Sequence, residues 1–155
     1  MKSLFVACIL LSLAGCATSS SREGGAHGLN AQRSPHGVKA TIDRFEAAAK
    51  ARGLTVFARI DHAAGAQKIG KALRPTELLI FGNPQGGTPL MECAQTVGID
   101  LPLKALAWQD AAGAVWLGYN EPRHLVHRHR GGDCQPAADN VTKVLGALAG
   151  EAVKP

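Results

Sequence analysis

LKALAWQDAAGAVWLGYN, residues 103–120, decides the fold. Two segments rich in apolar and aromatic residues, Leu103–Trp108 and Val115–Tyr119, flank the connection Gln109-Asp-Ala-Ala-Gly-Ala114. Parallel strands need a crossover of about a dozen residues or more, so a connection this short joins an antiparallel hairpin. The same logic extends upstream. Glu77–Phe81 reads as a strand, Leu54–Ile60 as another with β-branched and aromatic content, and Leu29–Arg33 as a short first strand.

Helices bracket this set. Val38, Ile42, Phe45 and Ala49 recur at steps of 4, 3 and 4, which places them on one helical face, with Gly53 as a left-handed terminator. Ser34-Pro35 reads as the N-cap and first position of that helix. Val141, Val144, Leu145 and Leu148 mark a C-terminal amphipathic helix running from near Pro136 to Gly150. Smaller helical insertions are predicted at Asp61–Gly70, capped by Asp61, after Thr88-Pro89, carrying Leu90, Met91 and Cys93, and after Glu121-Pro122. The order strand, helix, four strands, helix predicts an α+β domain with an antiparallel sheet and two main helices on one face.

The N-terminus, MKSLFVACILLSLAGCATSSS, has a lysine, an apolar run from Leu4 to Leu13 and then Ala14-Gly15-Cys16. That is the pattern of an export signal, and the run is shorter than the roughly 20 residues that span a bilayer. Leu13-Ala14-Gly15-Cys16 resembles a bacterial lipobox, which implies cleavage after residue 15 and acylation of Cys16. Ala17, where an aspartate would favour inner-membrane retention, points to the outer membrane facing the periplasm. Residues 16–28 read as a flexible tether, residues 29–150 as the folded domain and 151–155 as a tail.

Cleavage removes one lysine and lowers the formal net charge from +5 to +4. This modest charge, without a clustered basic stripe, argues against nucleic acid as a partner. Of the four cysteines, Cys8 leaves with the signal and Cys16 carries lipid. Cys93 and Cys134 remain, either as a disulfide suited to an oxidising envelope or as two free thiols.

Chemistry-bearing patterns are sparse. Gly82-Asn-Pro-Gln-Gly-Gly-Thr-Pro89 lacks the Lys-Ser/Thr pair of a P-loop and the spacing of a dinucleotide fingerprint. Two readings stand: tight turns at Asn83-Pro84 and Gly86-Gly87, or backbone N–H groups near Thr88 that receive a small anion. His62, beside Asp61 at an element edge, suits a general base or ligand, or equally a helix-cap position. His124, His127 and His129 are weak metal candidates, because zinc wants a third or fourth ligand and the plain alternative is a solvated basic face. No G-x-S-x-G or H-E-x-x-H motif occurs. Trp108 and Trp116 read as sheet core.

Several short motifs taken together resemble the bacterial domain of unknown function 302 (DUF302). They are Ser34-Pro35-His36, Gly53-Leu54-Thr55-Val56, Ile60-Asp61-His62-Ala63-Ala64, Leu73-Arg74-Pro75-Thr76 and Phe81-Gly82-Asn83-Pro84. Gly87-Thr88-Pro89-Leu90-Met91, Leu101-Pro102-Leu103-Lys104, Tyr119-Asn120 and Arg128-His129 complete the set, over roughly residues 30–149. The resemblance implies a curved antiparallel sheet similar to the TATA-binding-protein-like group, a homodimer, and no assigned activity. It also implies a shared ligand pocket at His62, Asn83 and His129, with Tyr119 and Asn120 near. Cys93, Cys134 and the extra His and Arg before Arg128 depart from the family pattern.

The leading expectation is therefore a lipid-anchored envelope domain that binds a small molecule or partner, without a cofactor. One alternative is a small-substrate hydrolase or isomerase in which His62 and His129 converge on one point. Another is a metal or haem binder through the His124–His129 cluster.

Overall fold

The computed structural model describes residues 27–155. The signal, Cys16 and most of the tether lie outside the described residues. The elements are β1 (Leu29–Ser34), α1 (Val38–Ala51), β2 (Thr55–Asp61), α2 (His62–Gln67), β3 (Thr76–Gly82) and α3 (Pro84–Cys93), followed by β4 (Leu103–Gln109), β5 (Val115–Asn120), α4 (Pro122–Arg128) and α5 (Gln135–Ala152). Short 3-10 turns lie at Gln95–Ile99 and Gly132–Cys134.

All five strands form one antiparallel sheet in the order β1-β5-β4-β3-β2, with the 103–120 hairpin at its centre. Pleating sends alternate side chains to opposite faces. Leu79 and Phe81, Ala105 and Ala107, and Leu117 and Tyr119 share the face beneath α1 and α5, and all are buried. Ile42 and Phe45 of α1 and Leu145 and Leu148 of α5 close that core, with the Phe45 and Phe81 rings edge to face at 5.1 Å.

Among the described residues, the opposite face carries no helix comparable to these. Ile60, Leu78, Ile80, Leu106, Trp108 and Trp116 occupy the alternate positions there, half-buried or exposed. The tryptophans are thus on the uncovered face, not in the core. The Trp108 ring lies over Gly118, where a Cβ would come within 3.0 Å of it, and the Trp116 Nε1–H donates to Asp110 Oδ2 at 2.7 Å.

Two helix starts differ from expectation. Ser34 does not cap α1: it is the last residue of β1, paired with Val115, and its hydroxyl is 2.7 Å from that of Thr41. Gly37 takes the cap position instead. Likewise Thr88-Pro89 lies inside α3, which begins five residues earlier at Pro84. Asn83 Oδ1 accepts the Gly86 N–H at 2.9 Å and Pro84 sits at the first helical position, so Asn83-Pro84 supplies the cap-then-proline signal. Gly86-Gly87 is consequently helical rather than a turn.

The edge strand β2 is tied to α1 by Arg59, whose guanidinium meets Glu77, Asp43 at 2.6 Å and Glu46 at 3.3 Å. Hydrogen bonds from Lys39 and then Arg59 hold the Asp43 carboxyl below its ordinary range, and Lys50 and then Arg59 do the same for Glu46. A carboxyl lowered in the folded state stabilises above its unfolded value near 4, and that contribution is lost as pH falls through the folded value. Urea midpoints should hold steady from pH 7 to about 5 and fall as pH drops below about 4. In Arg59→Met the decline should be shallower; an unchanged acid profile in that variant would refute the role of this network.

Candidate functional site

The strand registers define two ends of the sheet. Leu29, Thr55, Gly82, Leu103 and Asn120 lie at one, Ser34, Asp61, Thr76, Gln109 and Val115 at the other. α3, α4 and the 3-10 turns are all inserted after strands that finish at the first end, so they gather there around the start of α5.

The Asn83 cap launches α3 from β3, and the other terminus of α3 is joined to the start of α5 by a Cys93–Cys134 disulfide, with Cα atoms 5.7 Å apart. That separation is within the usual range for a bridge. The bond spans 41 residues, a loop whose closure contributes about 4 kcal/mol in the chain-entropy picture. α3 is therefore held at both termini, and between it, α5 and the start of β2 lies a cavity of about 580 Å³. Its floor is Phe81, Leu90, Val141 and Leu145, its sides include Leu101, Leu103 and Val144, and its polar lining is Asn83, Gln85, Thr88, Asn140 and Arg52.

Of the residues expected to form one pocket, Asn83 alone lines this cavity. His129 is nearby in the fold but occupied: its Nε2 is 2.6 Å from Asp100 Oδ2 and its Nδ1 is 3.0 Å from Thr96 Oγ1. Arg128 Nη1 adds a 3.1 Å contact to Asp100, so the pair pins the end of α4 to the turn at Gln95–Ile99. Tyr119 is buried in the core, and that burial pushes its phenol up from the ordinary value. Asn120 is exposed and pairs with Leu29 at the edge of the sheet.

His62 is at the other end. It opens α2 after β2, exposed, with Asp61 capping that helix through a 2.8 Å bond from the Ala64 N–H. The seven residues of β2 separate it from the Asn83 and His129 end by about 20 Å. His62 and His129 therefore cannot converge on one substrate atom within a protomer.

The histidine cluster also disperses. His124 packs against His27 with ring centroids 5.1 Å apart, beneath Gly28, whose φ of +82° and lack of a Cβ admit the ring. His129 turns to Asp100, and among the described residues no three His, Cys, Asp or Glu side chains gather as metal ligands would. The features missed in the sequence are the α5 residues Asn140 and Val144, and Leu54, Phe57 and Arg52 near the start of β2. Their convergence depends on α5 crossing α3, some fifty residues earlier in the chain, which leaves no local signature.

The model of the domain of unknown function DUF302 matches residues 30–148. The chain belongs to the DUF302 family. The crystal structure of an uncharacterized conserved DUF302 protein from Bacillus stearothermophilus has a similar fold, with a TM-score of 0.74 at 24% identity, covering 83% of this chain and all of that one. Two curated relatives are more similar in sequence. The fluoride-specific ion channel FluC 1 of Brucella suis biovar 1 (strain 1330) is 54% identical over 102 residues, 66% of this chain and 40% of that protein. FluC 2 of Brucella melitensis biotype 1 matches at the same identity over 38% of its length. The DUF302 chain thus spans about two fifths of the curated relatives it matches, and among its described residues no helix is long and apolar enough to cross a membrane.

Proposed function

We propose that this DUF302 protein is a lipid-anchored binding domain of the cell envelope, without chemistry of its own, that takes an apolar small molecule in the cavity between α3 and α5. The observation that carries the reading is that cavity. Its volume lies in the range of small-molecule sites, its walls are apolar, and its polar lining is mainly uncharged. Among the described residues no histidine, cysteine or carboxylate lines it: His62 is remote and His129 is bonded at both ring nitrogens. In a saturation titration, N-phenyl-1-naphthylamine should brighten on binding at one site per chain. Val144→Trp, which fills the cavity, should weaken binding at least tenfold; equal binding by that variant would place the probe elsewhere.

Anchoring rests on the lipobox-like Leu13-Ala14-Gly15-Cys16. The Brucella relatives bear the name of fluoride-specific ion channels and carry a region like this one alongside the remainder of their length. Attachment of the same kind of domain to a membrane, by a lipid here and by a longer chain there, is what these observations have in common. Radiolabelled palmitate should enter the exported protein and be lost in Cys16→Ser. Label retained in that variant would remove the anchor.

Self-association is the second part of the reading. The uncovered face with Leu106, Trp108 and Trp116 presents an apolar surface of the kind that pairs with a partner, and a second copy would bury it symmetrically. Sedimentation of the chain from residue 16 onward should give a dimer, and Leu106→Lys should give a monomer with an unchanged fold by circular dichroism. A monomer in both would exclude it.

A further inference from the structure

Resting on the cavity reading above, we propose that the occupant is the acyl chain of a neutral or zwitterionic membrane lipid, entering from the end of the domain that the anchor holds toward the bilayer.

The wall chemistry selects the class. Phe81, Leu90, Val141 and Leu145 offer an apolar interior without a charged group. Among the described residues the one cation in the lining, Arg52, is already engaged, 2.8 Å from the Glu151 carboxylate and 3.2 Å from the Ala48 carbonyl. A phosphate or free carboxylate deep in the cavity would therefore find no unpaired positive charge, and an amine no unpaired negative one. Asn83 has its Oδ1 taken up by the Gly86 N–H, which leaves its NH2 group to meet a ligand, and Asn140 is an exposed residue of the same lining. Neutral amide groups above an apolar interior match a hydrocarbon chain ending in a hydroxyl or ester.

The rim and its position select the source. Phe57 is 58% exposed and Met91 36% exposed, both in the lining of the cavity, so its mouth is apolar where most of the surface is not. A mouth of that kind suits contact with a lipid surface. It opens at the end of the sheet that holds Gly82 and Leu103, which is also where β1 begins at Leu29. Leu29 and Gly82 lie three strand spacings apart, about 14 Å. The twelve residues between Cys16 and Leu29 span at most about 40 Å. An anchor at Cys16 thus keeps the mouth within reach of the bilayer. The protein's own acyl groups are the less suitable occupant, since one chain alone holds a protein to a membrane only marginally and withdrawing any of them weakens the anchor.

The test uses the chain from Cys16 onward, without lipid, loaded with N-phenyl-1-naphthylamine and titrated with 1-monoacylglycerols of increasing chain length below their micelle concentrations. Displacement should strengthen about fourfold per added methylene, which is ~0.8 kcal/mol, and level off once the cavity is full. Val144→Trp and Thr88→Trp, the second at an exposed lining position, should each weaken monoacylglycerol binding, read directly by calorimetry, at least tenfold with melting temperatures close to that of the parent chain. Probe binding without displacement, or displacement indifferent to chain length, overturns the acyl proposal and leaves the cavity reading standing. Failure of the probe itself to bind overturns the cavity reading and the acyl proposal with it. If the lipidated chain excludes the probe with no amphiphile added, the occupant is its own acyl group and the proposal is overturned.

Discussion

The packing of α1 and α5 onto one face of the antiparallel sheet is the constraint on which the rest of this structure depends. Pleating puts Leu79, Phe81, Leu117 and Tyr119 on that face, and the two residues of the central strand between them are Ala105 and Ala107. Small residues in the middle leave room for Phe45 to reach Phe81 and for the helices to sit close over β3, β4 and β5. A one-residue slip of the hairpin would carry this entire set to the other face, so register and core are a single specification.

Once the helices occupy that face, two consequences follow. Among the described residues, the other face keeps its apolar alternate residues with no helix of similar size above it. The connections after β3 and β5 must be accommodated at one end of the sheet, and both do so as helices packed around the start of α5. The cavity arises because α3 is held at its two termini, by Asn83 at the strand and Cys93 at Cys134, while the space between it and α5 is bounded by side chains that do not fill it. The disulfide joins the end of α3 to Cys134, itself buried in the core.

The chain brings together a domain of the DUF302 family and an N-terminal pattern suited to lipid attachment. Its Brucella relatives combine a similar region with a longer protein that bears the name of an ion channel. The shared element is the matched region of 102 residues.

What the sequence determined by itself is what local chemistry encodes. The six-residue connection makes an antiparallel hairpin, the spacing of Val38, Ile42, Phe45 and Ala49 makes one buried helical face, and Gly53 at φ +71° ends that helix region. The family was legible too, through many short motifs in order. The tertiary structure decided what depends on distant segments. It made Asn83 rather than Thr88 the cap of α3, because the cap is whichever side chain the end of β3 delivers to the open N–H groups. It put His62 and His129 at opposite ends of the sheet, because β2 and β5, the strands that lead to them, run in opposite directions and a motif carries no information about its end. It assembled the cavity from α3, α5 and β2, and long-range convergence of that kind follows from packing, which no window of sequence contains.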